Sequence, residues 1–119
     1  MPVLTNTKMP IYNCVISIIV ENEDDIENSY KRICKKCNMN FEAGNMEGAV
    51  ISGDMDKYYL LLNKSHLSHN LIGHELYHLL YHILKDRAIT DEESSAWISG
   101  YLNNLIYKTL ERQQLYPFA

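Results

Sequence analysis

The chain has few cysteines, no long apolar run and no surplus of positive charge, and each lack removes a class of protein. Cys14, Cys34 and Cys37 are the only cysteines in 119 residues. They are odd in number and lack the spacing of a disulfide framework, which argues against a stapled secreted domain. The apolar stretch Ile11 to Val20 falls short of the roughly 20 residues a bilayer-spanning helix needs. It also lacks the basic start and small-residue cleavage site of a signal peptide. Reduced thiols and no export signal together lead us to expect a cytoplasmic protein without a membrane partner. The formal net charge is −4, so no electrostatic footprint for nucleic acid is expected. The basic residues Lys31, Arg32, Lys35 and Lys36 follow the acidic stretch Glu21 to Glu27 and read as a solvated helix face.

What is present fits an ordinary globular domain: 46% hydrophobic and 22% charged residues, without repeats, linkers or low-complexity tracts. Residues 1–119 are expected to form a single domain. The β-branched run Ile11 to Val20 predicts a buried strand. From Asp25 to about Cys37, apolar residues recur at helical spacing, predicting an amphipathic helix. The stretch Asn38 to Gly48 is loop-like. Ala49–Ile51 and Tyr58–Leu62 predict two strands of a hairpin. One helix should start near Ser68, whose hydroxyl suits an N-cap, and run to about Lys85. Another should begin near Thr90 or Asp91 and reach about Gln113. The order strand, helix, strand, strand, helix, helix defines an α+β domain with a small mixed sheet.

Residues 74 to 78 read His-Glu-Leu-Tyr-His. On a helix, positions i and i+4 lie on one face, so His74 and His78 can reach a single cation. Zinc takes imidazole nitrogen at about 2.0–2.1 Å, and a catalytic site uses three protein ligands plus water. Glu75 projects roughly 100° around the helix from His74, which suits a general base acting on water at the metal. Random placement of these residue types yields the pattern with a chance on the order of 1–2%, so coincidence is the weaker explanation.

A third ligand must come from another element. His82 continues the ladder but lies about 12 Å from His74 along the axis, at about 1.5 Å per residue. Glu92 and Glu93, where the next helix opens, are better placed. Counting on from Glu93 gives Ala96, Gly100 and Asn104, small residues that would allow close helix approach. Glu93 is therefore preferred over Glu92, although either glutamate also suits a helix N-terminus on charge alone.

The segment HELYHLLYH at 74–82, with YYLLLN at 58–63 and EESSAWISGYL at 92–102, resembles the minimal zincin-like domain of zinc metallopeptidases. It is similar to the ImmA/IrrE family, which cuts repressors of phages and mobile elements. It looks closer still to small predicted zinc peptidases of phages and prophages. The resemblance covers roughly residues 45 to 106. It implies zinc bound by His74, His78 and Glu93, with Glu75 catalytic and a protein or peptide as substrate. Tyr77 departs from the Gly or Ala more usual in the family and would narrow the cleft. The alternative is a zinc-containing binding module that recognises a partner protein without cleaving it.

Lesser signals remain. Cys34 and Cys37 with His66 and His69 could form a structural zinc site, but their spacing is unusual and the cysteines should pack. Tyr101, Tyr107, His66 and His69 are candidate donors to a tetrahedral oxyanion. The strand Tyr58–Leu62 is the expected place for an extended peptide to pair.

Overall fold

The computed structural model describes residues 3–39, 46–53 and 56–117. Its elements are β1 (Val3–Met9), β2 (Cys14–Glu21), α1 (Ile26–Lys36), β3 (Gly48–Ser52), β4 (Lys57–Asn63), α2 (His69–Asp86) and α3 (Glu92–Arg112), with a short 3₁₀ turn at Lys64–His66. The fold class is α+β. Residues 54 and 55 of the expected hairpin, and residues 40–45 of the expected loop, lie outside the described residues.

The sheet has the order β1-β2-β4-β3. β1 pairs antiparallel with β2, β2 runs parallel to β4, and β3 pairs antiparallel with β4. Alternation along the central strands sorts the core into two layers. Ile16, Ile18 and Val20 of β2 and Tyr58, Leu60 and Leu62 of β4 pack with Leu71, Leu79 and Ile83 of α2 and Ile98, Leu102 and Ile106 of α3. On the other face, Ile19, Tyr59, Leu61 and Ile51 pack against Ile26, Ile33 and Cys34 of α1. Strands buried on both faces read as continuous apolar runs, which explains IYNCVISIIV and YYLLL.

One strand was not expected from the sequence. β1 carries Thr5, Asn6, Thr7 and Lys8 between its apolar ends, a composition that suits an edge more than a buried strand. It is held to α3 by a 2.8 Å hydrogen bond between the Thr5 and Thr109 hydroxyls. β2 also starts later than the apolar run: Ile11 and Asn13 take positive φ angles of 73° and 52° in the turn from β1. Ile11 is exposed there and belongs to no strand.

The helix boundaries follow their caps. Ser68 accepts a hydrogen bond from the Leu71 amide at 3.0 Å, and Asp91 accepts one from the Ser94 amide at 2.8 Å. Each satisfies an amide left free in a first turn. α2 ends in a Schellman motif, with Ile89 N donating to Leu84 O and Ala88 N to Lys85 O. The chain then turns back within five residues, 87–91, so α3 returns alongside α2. Among the described residues, no helix is long and apolar enough to cross a membrane.

Candidate metal centre

α2 lies on the sheet through Leu71, Ile72, Leu79 and Ile83. That choice of face leaves His74 and His78 exposed, with Glu75 turned inward toward β3. The histidine Nε2 atoms stand 3.2 Å apart. Two nitrogens at about 2.05 Å from a tetrahedral ion are separated by about 3.3 Å, so the pair fits a shared cation. An N–H···N hydrogen bond between complementary tautomers fits the same spacing.

Glu75 lies beside the pair. It is 5% exposed. Its Oε1 lies 3.7 Å from His74 Nε2, and Oε2 has no hydrogen-bond partner among the described residues. A buried, unpartnered carboxylate oxygen is costly. It is explained if the group faces something that the protein binds. Burial pushes the Glu75 carboxyl above its usual range, while the neighbouring His74 and His78 pull it the other way. Among the described residues, His74, Glu75 and His78 are the group of ligand types close enough to hold a metal, with ligand atoms within 4.8 Å of one another. The three residues could hold a metal ion.

The inward seat of Glu75 depends on Gly48, at the start of β3. A Cβ there would stand 2.9 Å from Glu75 Cγ and 3.1 Å from Leu61 O. Glycine is what lets the carboxylate stem lie against the strand. A glycine inside a strand signals such close approach, so the sequence carried this cue.

Glu93 does not join the group. The expectation rested on Ala96 and Gly100 packing against α2, but both are exposed, and a Cβ on Gly100 would meet nothing within 4 Å. The buried stripe of α3 is instead Ile98, Leu102 and Ile106. A 2.8 Å hydrogen bond between His69 Nδ1 and Tyr107 Oη fixes the antiparallel register of the two helices. At about 1.5 Å per residue, that register puts Glu93 roughly 7–8 Å beyond the level of His78. Glu92 shares the exposed first turn. The long apolar stripe, not the small residues, decides which way α3 faces.

A cleft of about 800 Å³ opens beside Glu75 and His74, lined also by Glu23, Glu27, Glu47 and His66. Tyr77 does not line it and is 64% exposed, so it does not narrow this cleft. The sequence reading missed Glu23, Glu27 and Glu47, which lie far from the motif along the chain. His66 sits on the rim between Glu23 (3.4 Å) and Glu47 (3.5 Å), each facing a different ring nitrogen. His69 and Tyr107 are paired with each other, and His82 lies against Tyr81. Cys34 is buried beneath the sheet's other face, so Cys34, Cys37, His66 and His69 form no cluster. β4 cannot accept a peptide strand, because β2 and β3 occupy both its edges. The edge near the site is β3.

Compared with known proteins, the chain matches no family model, no curated protein and no solved structure.

Proposed function

We propose that this chain is a zinc-dependent metallopeptidase of zincin-like organisation, acting on a protein or peptide in the cytoplasm. His74 and His78 would hold the ion, and Glu75 is the general base. The observation that carries the reading is the histidine pair at 3.2 Å beside a buried carboxylate whose Oε2 has no partner among the described residues. The resemblance of residues 45 to 106 to the ImmA/IrrE family and to phage peptidases belongs to the same proposal.

When bound, such an ion polarises a carbonyl and brings the pKa of water towards about 7. Glu75 takes the water's proton at a carboxylate oxygen and returns it to the leaving amine. Burial of Glu75 raises its proton affinity, which strengthens it as a base. The outer edge of β3 offers backbone groups to an extended peptide lying across the cleft. Gly48 keeps the start of that strand clear of side-chain bulk.

A second reading, a zinc-holding module that binds a partner protein without cutting it, is favoured by one observation. Catalytic zinc uses three protein ligands, and Glu93 stands apart from the two histidines.

Metal analysis of protein purified without chelator, paired with digestion of a peptide library, separates these readings. Expected are about one zinc per chain in wild type and Glu75→Gln, and turnover lost by about 10²–10⁴-fold in the variant. Absence of zinc affinity in wild type, or full activity in Glu75→Gln, overturns the proposal. Zinc without cleavage by wild type leaves the binding module.

A further inference from the structure

The cleft beside Glu75 is asymmetric in charge. Carboxylates line it from two stretches of the chain: Glu23 and Glu27 around the start of α1, and Glu47 just before β3. His66 and His74 are the basic residues in its lining. Glu27 pairs with Lys31 at 3.3 Å, but Lys31 does not line the cleft. Among the described residues, Glu23 and Glu47 share the one imidazole between them. Their side chains are 65% and 67% exposed, so both can reach a ligand from the rim without rearranging the core. Even with His66 fully charged, the rim carboxylates outnumber it.

An acidic rim alone is commonplace, and here a second feature marks the same cleft as a place where something binds. Glu75, 5% exposed, lines its wall with Oε2 unpartnered. Glu75 in the wall and the carboxylates on the rim line one continuous space.

We infer that the cleft selects cationic peptide segments, with lysine or arginine side chains seated among Glu23, Glu27 and Glu47 while the backbone runs past Glu75. The inference rests on the reading of this site as a peptide site and adds the class of sequence it takes. Carboxylates on low-dielectric walls concentrate positive charge and repel acidic chains. The rim therefore discriminates chiefly against acidic segments, through encounter and through unpaired like charge.

The test reads binding, so that it does not depend on cleavage. Fluorescein-labelled eight-residue peptide pools, rich in Lys/Arg, neutral, or rich in Asp/Glu, are titrated by anisotropy with zinc-loaded Glu75→Gln protein near 0.15 M salt, where the screening length is about 8 Å. The cationic pool should bind about 10-fold or more tighter than the acidic pool. Adding Glu23→Gln and Glu47→Gln should cut that ratio to about 3-fold or less. The same charge change placed on α3, Glu92→Gln with Glu111→Gln, should leave the ratio intact. Equal binding of all pools overturns the inference, and so does a preference lost equally from both charge-neutralised proteins, which would reflect net charge alone. Loss of hydrolysis in wild type with the preference retained refutes the peptidase and leaves this inference standing.

Discussion

α2 carries one polar cluster at its C-terminal end and another near its middle, and they are built on opposite terms. At the C-terminal end, Tyr58 Oη donates to Asp86 at 2.7 Å and accepts from Arg87 at 2.7 Å. Arg87 also donates to Tyr12 O at 3.1 Å and pairs with Asp56 at 3.1 Å, and Ser52 adds a bond to Asp86 at 3.2 Å. Burial, followed by the bond to Asp86, holds the Tyr58 hydroxyl well above its usual range, so it stays protonated as a donor. Each of these side chains has a partner. Near the middle of the helix, Glu75 is buried with one oxygen that has no partner among the described residues, and His74 and His78 face solvent. Polar groups that satisfy one another hold a fold together. Polar groups kept waiting are the mark of a site.

Breaking each cluster should therefore move stability in opposite directions. Arg87→Ala strips charged hydrogen bonds from Tyr58, Asp56 and the Tyr12 carbonyl, and should cost about 2–3 kcal/mol in urea unfolding. Metal binding at His74 and His78, on the proposed reading, should persist. A cost below about 0.5 kcal/mol would deny that this cluster is structural. Glu75→Gln replaces a buried, unpartnered carboxylate by a neutral amide, and should stabilise the metal-free protein by about 1 kcal/mol. Calorimetry that found the variant less stable would mean Glu75 has a structural partner after all. The smallest effect tests the faces of α3, away from both clusters. Gly100→Ala should add about 0.5–1 kcal/mol through helix propensity, because no atom stands where the new methyl would go. Destabilisation would restore the close helix approach that the Glu93 expectation needed.

The sequence was most informative where chemistry and structure share one short stretch. His74, Glu75 and His78 sit on a single helix, so their mutual geometry follows from helical periodicity. The caps at Ser68 and Asp91 likewise need only neighbouring residues. β1 was hidden because its polar alternation resembles a loop, and only pairing with β2 and the Thr5–Thr109 bond make it a strand. Glu93 stands outside the His74–Glu75–His78 group for a related reason. Small residues at helical spacing permit close approach, but the rotation of α3 is set by burial of Ile98, Leu102 and Ile106 on a sheet that no local pattern reveals. The cleft carboxylates were equally out of reach, since Glu23, Glu47 and Glu75 meet only through the β2–α1–β3–β4 path.

The outer edge of β3, beside the cleft, has a consequence for the molecule in concentrated solution. Backbone at a sheet edge can accept the same strand from another copy, which is the first contact of sheet-type aggregation. Two features of the chain restrain this. β3 is only five residues long, too short for a tenacious intermolecular ladder, and Glu47 flanks it with a charge that a second copy would have to meet with its own. On the proposed reading, glutamates on the rim would repel other copies from the edge while leaving it open to a basic peptide, so that colloidal restraint and substrate choice would draw on the same side chains.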